Sequence, residues 1–323
     1  MKRRSFVKAG LAALLVPVPA EAQQRKTFRV GFLSAGTRTP DGSAPGALRE
    51  GLSKLGHANV AYEARFAEGN LERLPALAAE LVGLKVDAIV AQGGMAILAA
   101  KQATSTVPII AAPVSGDLVA AGLIASPARP GGNVTGLTDE SVALSAKRME
   151  ILKQAVPKAA LIAVLWNAND QGMTLRYQEI EKAARQLKVE VQPVSLRGRA
   201  DFDAAFAEMT RRRPDAIFIV ADGLTTLNRK RLIEFAASQR IPAMYEFSVY
   251  TQDGGLIAYG PSFEDAFQRA ASFLDRIFKG AKAADLPAEY PARYYLTVNL
   301  KTADSLGLTI PPVLILIADT VIK

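Results

Sequence analysis

The chain has 323 residues, of which half are hydrophobic and 22% are charged, a composition typical of folded proteins long enough for two domains. It contains no cysteine and one histidine, His57, which excludes disulfides, thiolate metal sites and the usual histidine metal cluster. No Gly-x-Ser-x-Gly turn accompanies His57, so a serine hydrolase is poorly supported. The net charge is +8, but the basic residues beyond the N-terminus are scattered beside acids, so no nucleic-acid partner is expected.

The N-terminus has the three parts of a secretory signal peptide: a basic start at Lys2–Lys8, the apolar run Ala9–Val18, and a small-residue site ending at Ala22. Residues 1–22 are therefore predicted to be removed by cleavage after Ala22. The Arg3-Arg4 pair resembles the twin-arginine export signal. An apolar run of about ten residues is too short to span a bilayer, so we expect an exported, periplasmic protein without a membrane anchor.

After this segment, apolar strands alternate with amphipathic helices. Apolar runs bounded by glycine predict strands, and leucines three or four residues apart predict helices. The predicted elements of the first half are the strand Phe28–Leu33, the helix Ala44–Leu55, the strand Val60–Phe66, the helix Leu71–Leu84, the strand Asp87–Ala91, the helix Ala96–Thr104 and the strand Pro108–Ala112. Those of the second half are the strand Leu161–Leu165, the helix Thr174–Leu187, the strand Glu190–Val194, the helix Asp201–Arg212, the strand Asp215–Val220, the helix Leu227–Ser238 and the strand Ile241–Tyr245.

The two halves correspond in sequence. VDAIVAQGG at Val86–Gly94 matches PDAIFIVADG at Pro214–Gly223, and VPIIAAP at Val107–Pro113 matches IPAMYEF at Ile241–Phe247. The offsets are 214 minus 86, or 128, and 241 minus 107, or 134. Such near-constant spacing predicts an α/β protein with two similar Rossmann-like lobes, each an open parallel sheet with helices on both faces.

Between the halves lies Arg129–Asp139, a stretch rich in glycine and proline that is a poor strand and a poor helix. It is interpreted as a crossover between lobes, and its local composition fits an ordinary surface loop equally well. Ligands of open α/β sheets bind beyond the carboxyl ends of the strands, and ligand sites favour domain interfaces. Two facing lobes therefore predict a clamp that closes on a small molecule.

Several longer stretches resemble one known family over nearly the whole mature chain. They are Tyr62–Val82, Ala99–Ile110, Ala125–Thr138, Lys147–Pro157, Val164–Asn167, Gly254–Ser262 and Asn299–Pro312. Together they resemble the ABC transporter substrate-binding proteins of the tryptophan/tyrosine-type branch, which have the type I periplasmic-binding-protein fold. The sequence departs from the family's pattern at Gly93–Met95 and at Ala112–Val114, both at the expected cleft, so the family's ligand need not carry over.

The resemblance implies a solute-binding subunit that delivers a small molecule to an ABC permease in the inner membrane, driven by a cytoplasmic ATPase. It also implies about three hinge crossovers, with residues 28–136 and 260–290 in the N-terminal lobe and residues 137–259 and 291–323 in the C-terminal lobe. The hinge residues expected are Gly132, Thr135, Gly136, Tyr259 and Gly260. We expect a monomer without cofactor or metal.

Polar, glycine and aromatic residues at strand ends are the predicted ligand contacts. Gly93, Gly94 and Met95 open a helix whose backbone N–H groups suit a carboxylate, although a tight turn without ligand fits equally well. Asp222 is the favoured partner of an amine, and a zwitterionic or carboxylated ligand, possibly an amino acid, is expected. The other candidates are Ser34, Gly36, Thr37, Ser115, Asp117, Trp166, Asn167, Tyr245 and Tyr259.

Some of these residues have a second interpretation. Asp117 is slightly favoured as the cap of a helix starting at Leu118, and Asn70 and Glu68 as caps of the helix at Leu71. Trp166 and Tyr245 are assigned to the ligand's side chain, with core packing as the alternative for the tryptophan. Tyr245, Glu246 and Tyr259 are expected to form an aromatic and acidic rim.

Two other functions fit the same architecture. A ligand-binding sensor subunit for a membrane receptor would use the same clamp, and sequence does not separate it from a transport subunit. An exported Rossmann-like enzyme is less favoured, because no nucleophile, metal cluster or cofactor loop stands out.

Overall fold

The structure is a computed structural model that describes residues 27–112, 117–138 and 141–323. The signal peptide predicted at residues 1–22 and the ligand contact predicted at Ser115 lie outside these residues. In the described part of the chain, no helix is long and apolar enough to cross a membrane.

The first sheet has five parallel strands in the order β2-β1-β3-β4-β5. Its strands are β1 (Phe28–Ser34), β2 (Val60–Phe66), β3 (Ala88–Gln92), β4 (Ile109–Ala111) and β5 (Val134–Gly136). The helices between them are α1 (Gly46–Lys54), α2 (Leu74–Gly83) and α3 (Gly94–Ala103). One 3₁₀ turn, Leu71–Arg73, precedes α2.

The second sheet has seven strands in the order β12-β11-β10-β9-β8-β6-β7. Its strands are β6 (Leu161–Asn167), β7 (Glu190–Leu196), β8 (Ala216–Ile219), β9 (Ala243–Tyr245), β10 (Ile257–Gly260), β11 (Tyr295–Asn299) and β12 (Thr320–Ile322). The helices of this part of the chain are α4 (Ser141–Ala155), α5 (Gln171–Gln186), α6 (Asp201–Arg212), α7 (Gly223–Leu227), α8 (Arg229–Gln239), α9 (Ser248–Gln252), α10 (Phe263–Phe278), α11 (Leu300–Ser305) and α12 (Pro312–Ile317). All pairs are parallel except β10 with β11, which is antiparallel.

The continuous apolar runs are the central strands, as expected for sheets covered by helices on both faces. Every residue of β8 is buried, and so are the first four of β3. The edge strand β7 alternates instead, with every second side chain buried from Gln192 onward. Each sheet therefore has an apolar cluster on each face.

In the part of the chain that the structure describes, successive elements change from one sheet to the other three times: after β5, between β10 and α10, and between α10 and β11. Helix α10 packs on α1 of the first half, although the strands before and after it belong to the second sheet. The approach of α10 to α1 is close, since a Cβ at Gly51 would lie 2.8 Å from the Cβ of Ala271.

The stretch Arg129–Asp139 contains β5, which pairs in register with β4 at the edge of the first sheet. Gly136 has φ of 119°, and a Cβ there would lie 2.5 Å from the carbonyl oxygen of Ala111. The buried hydroxyl of Thr135 donates to the carbonyl oxygen of Leu286 at 2.6 Å. Packing therefore requires this glycine, and any hinge rotation in this crossover is expected after Gly136 rather than within β5. The hinge itself stays a prediction.

Candidate functional site

The two halves touch at the carboxyl ends of their strands. A Cβ at Gly223 would lie 3.5 Å from the Cβ of Ala35, and one at Gly69 would lie 3.2 Å from Cδ1 of Leu227. Ala35 and Gly69 follow β1 and β2, whereas Gly223 and Leu227 bound α7 after β8. The predicted cleft therefore lies at these ends, where the two sheets face each other.

The edge of the first half is built on Ser34. Its buried hydroxyl donates to Oε1 of Gln92 at 3.1 Å and accepts from the backbone N–H of Gly36 at 2.9 Å. The predicted contacts Ser34 and Gly36 thus belong to one hydrogen-bonded turn tied to the end of β3, and Thr37 is exposed beside it. This turn holds the first half's cleft edge in place.

The N-terminus of α3 lies beside that turn. Gly93 precedes the helix with φ of 88°, a conformation that favours glycine, and no side chain of the described residues caps the helix. Among the described residues, a Cβ on Gly94 would meet nothing within 4 Å, and Met95 is 42% exposed. The N–H groups of the first turn of an α-helix lack intrahelical partners, so this end suits an anion.

Asn70 caps the 3₁₀ turn that begins at Leu71, whereas Asp117 closes a turn. Oδ1 of Asp117 accepts from the backbone N–H of Val119 at 2.7 Å, and Oδ1 of Asn70 accepts from that of Glu72 at 3.1 Å. The helix expected from Leu118 is wrong, because the chain forms only turns there. Glu68 does not cap the next helix; it accepts from the backbone N–H of Arg38 at 3.1 Å.

On the second half's edge, Asp222 is held by two neighbours. Its Oδ2 accepts from Nδ2 of Asn167 at 2.7 Å, and its Oδ1 accepts from the backbone N–H of Thr225 at 2.9 Å and from the Thr225 hydroxyl at 3.0 Å. A carboxylate has about four acceptor positions, so capacity for one further donor remains. Burial raises the pKa of Asp222 above its ordinary value. The hydrogen bonds from Thr225 and Asn167 lower this pKa but do not offset the effect of burial.

The predicted aromatic contacts do not come together. Trp166 is 8% exposed and stacks on Tyr177 at 3.9 Å, within the cluster on one face of the second sheet. Tyr245 is 1% exposed and stacks on Tyr250 at 4.8 Å in the cluster on the opposite face. Because side chains of the two strands point to opposite faces here, the two rings do not form one pocket. Tyr259 is half-buried, with its ring 6.2 Å from that of Tyr294.

Beneath this edge lies a charged network that the sequence interpretation missed. Glu246, expected on an acidic rim, is 1% exposed and forms ion pairs with Arg176 and, at 3.7 Å, with Arg148. Its Oε1 also accepts from the backbone N–H of Ala221 at 3.1 Å. Burial alone would raise the pKa of Glu246, but the two guanidinium groups hold it below its ordinary value. Glu246 is therefore a paired internal anion and does not form a rim.

The network fixes the ends of two strands. Arg176 donates to the carbonyl oxygen of Ala221, after β8, at 3.2 Å, and Nε of Arg148 donates to that of Tyr259, in β10, at 2.7 Å. A Cβ on Gly260 would overlap the carbonyl oxygen of Glu246, so this predicted hinge residue is also tightly packed. The sequence does contain one signal: Arg176 interrupts the apolar stripe of α5 between Met173 and Ile180, a position where a charge needs a buried partner.

Comparison with known proteins decides the family. The model of the family described as "ABC transporter substrate binding protein" matches residues 43–322. The chain belongs to this family. A "Tyrosine-binding protein" of Clostridioides difficile is 24% identical to the chain over 250 residues, 77% of this chain and 71% of that protein.

Solved structures show the same fold. An ABC domain from Streptococcus pneumoniae in complex with L-Trp has a TM-score of 0.84 and 22% identity over 92% of this chain and 100% of that one. A conserved domain protein from Vibrio cholerae has a TM-score of 0.84 and 23% identity over the same shares. The ligand-free, open structure of a Clostridium difficile substrate-binding protein with adhesive properties has a TM-score of 0.64 and 22% identity over 88% and 96%. This substrate-binding protein thus has the type I periplasmic-binding-protein fold predicted from its sequence.

Proposed function

We propose that this substrate-binding protein works outside the cytoplasm, captures an amino acid between its two lobes and delivers it to a membrane permease. The observation that carries the ligand class is a pair of complementary groups at the meeting edges. The first half offers the uncapped N-terminus of α3, and the second half offers the acid Asp222. An amino acid carries a carboxylate for the helix N-terminus and an ammonium group for Asp222.

The two groups are linked by contacts across the cleft. Gly223, the residue after Asp222, lies against Ala35 of the first half. The residue before Ala35, Ser34, is hydrogen-bonded to Gln92, which directly precedes Gly93 at the start of α3. In this proposal, backbone N–H groups from Gly94 onward bind the ligand's carboxylate, and the remaining acceptor position of Asp222 binds its ammonium group.

The names of the relatives support an aromatic amino acid as the first ligand to test, since one is called tyrosine-binding and another was solved with L-Trp. Trp166 and Tyr245 are used for core packing, so neither is the platform for the ligand's side chain in this proposal. Met95 and Tyr259 retain partly exposed apolar surface and take that role. The proposal includes export of the protein by the predicted signal peptide, residues 1–22, with cleavage after Ala22.

A thermal-shift screen of amino acids and aromatic acids, followed by calorimetric titration, tests the function. We expect one ligand per chain, and we expect Asp222→Ala to weaken an amine-bearing ligand by about ten- to a hundredfold, the range for a lost charged hydrogen bond. The des-amino analogue should bind both proteins alike, and the exposed Asp304→Ala serves as the control. Binding confined to molecules without an acidic group, or turnover of the ligand, would contradict the proposal.

A further inference from the structure

Helix α12, near the C-terminus, exposes apolar side chains to an unusual degree. Leu316 is 85% exposed, Ile317 57% and Val313 56%, whereas Leu314 is buried in the core and the partly buried Ile315 packs against it. Leucine and isoleucine are among the residues most often buried, so three exposed large apolar side chains on six residues form a patch that needs explanation.

The patch continues onto the ends of two neighbouring helices. Val313 and Pro311 line a shallow open groove together with Pro157, which follows α4, and Leu187, which follows α5. Lys153 also lines it and donates from Nζ to the carbonyl oxygen of Pro157 at 2.8 Å. The groove thus joins the exposed face of α12 to the loops that enter β6 and β7.

These loops belong to a strongly basic surface, here called the basal edge: residues 156–160, 187–190, 211–215 and 239–242, which enter β6, β7, β8 and β9 at the end away from the cleft. The basal edge holds six basic and two acidic residues, a net charge of +4; they are Lys158, Lys188, Glu190, Arg211, Arg212, Arg213, Asp215 and Arg240. Residues 23–323, the chain without the predicted signal peptide, hold 35 basic and 30 acidic residues, an excess of +5, because four basic residues and Glu21 precede Gln23. The fold thus gathers on one edge cations that are scattered in the sequence, and the net charge of this edge is most of that excess.

Both acids of the basal edge already have partners. Glu190 pairs with Arg212 at 2.8 Å, and Oδ2 of Asp215 accepts from the backbone N–H of Ala160 at 2.7 Å. Within the described residues, no ion pair involves Lys158, Lys188, Arg211, Arg213 or Arg240, all of which are exposed. Three of these, Lys188, Arg213 and Arg240, have left-handed backbone conformations directly after helices, which fixes where they leave the sheet edge.

We propose that the basal edge and α12 together form a binding surface for a bilayer of anionic phospholipid. Lysine and arginine near such a surface are attracted by its negative potential, and neighbouring apolar side chains enter the boundary between headgroups and acyl chains. A nucleic acid would use the cations but offers no apolar phase for Leu316, whereas a bilayer offers both an anionic surface and an apolar interior. The proposal concerns the surface where α12 meets the loops that enter β6 and β7, and it is independent of the ligand.

Co-sedimentation with vesicles tests this surface, using the chain without residues 1–22, whose apolar run would itself bind lipid. We expect binding to phosphatidylglycerol-containing vesicles, loss of it at high salt, and little binding to pure phosphatidylcholine. The triple variant K188N/R213N/R240N replaces three cations with asparagine, which tolerates the left-handed conformation. It should weaken binding by about a hundredfold, because each cation near an anionic surface contributes about 1 kcal/mol. L316S should weaken it as well, by about tenfold, through lost apolar burial.

The matched control is K54N/K85N/R129N, which removes the same charge from the first half and includes Lys85, also left-handed after a helix. It should bind vesicles like the unmodified chain. Equal losses in the two triple variants, equal binding to both kinds of vesicle, or no effect of L316S would overturn the proposal. A dimer that L316S dissociates in sedimentation velocity, without vesicle binding, would assign α12 to a second copy of the chain instead.

Discussion

The two edges that meet at the cleft are built in different ways. The first half's edge consists of backbone and small residues: a turn held by the Ser34 hydroxyl and the N-terminus of α3, where Gly94 has no close neighbour among the described residues. The second half's edge consists of charged side chains held by partners, with Asp222 above and the buried ion pairs of Glu246 below. We therefore expect substitutions on the first edge to change binding without changing stability, and those in the network below the second edge to change stability first.

The largest effect is expected from Glu246→Ala. It leaves Arg148 and Arg176 buried without their carboxylate, and breaking a buried ion pair in this way costs about 3–5 kcal/mol. Denaturant unfolding should report this loss, while the exposed Glu234→Ala on α8 should leave the free energy of unfolding nearly unchanged. Equal stabilities of the two variants would show that the second edge does not depend on its network.

A smaller loss of stability is expected from Gly136→Ala, because this glycine is required by the packing of β5. The new Cβ would press on the backbone of Ala111 in a left-handed conformation, and strain of this kind costs about 1–3 kcal/mol. Gly132→Ala is the matched control, since its Cβ would meet nothing within 4 Å. If both variants unfold at the same denaturant concentration, β5 is not packed as described.

The pH dependence of binding sharpens the description of Asp222. Because its pKa is raised in the folded protein, its carboxylate is ionised only above that raised value, and only the ionised form binds an ammonium group strongly. Affinity for an amine ligand should therefore be full above that raised pKa and fall by about tenfold for each pH unit below it. Titrations of Asp222→Asn should lack this fall; an identical pH profile in both proteins would remove Asp222 from the site.

Most of the fold could be predicted from local pattern. Apolar runs such as that ending at Leu33 and leucine spacing such as Leu74, Leu77 and Leu81 determine which face of each element is buried, and sheets with helices on both faces follow. The strand β5 was not predicted, because it lies in a stretch rich in glycine and proline. Glycine usually argues against a strand, but at Gly136 it is required by the close contact with Ala111. The antiparallel strand β11 forms where the chain re-enters the second sheet after α10, which packs on the first half. No local sequence pattern encodes that path.

The site was harder to predict, because strand ends show which residues are near a cleft but not which partners they already have. Asp222 lies at the cleft edge, as the strand-end argument expects, yet Glu246 in the next strand's end is neutralised by arginines from α4 and α5. Which charges pair is a tertiary property. The position of Trp166 and Tyr245 on opposite faces likewise depends on the register of β6 and β9, which composition does not reveal.

The central claim is that the two edges divide the ligand between them, the carboxylate to the first and the amine to the second. The most direct test is calorimetric titration of Gly94→Ala and Asp222→Asn with three ligands: the best-bound amino acid, its des-amino acid and its decarboxylated amine. The account predicts that Asp222→Asn loses the preference for the amino acid over the des-amino acid. Gly94→Ala, with unchanged stability, should lose the preference over the amine. If each variant weakened all three ligands equally, or if the unmodified protein bound the amine as tightly as the amino acid, the division would be contradicted.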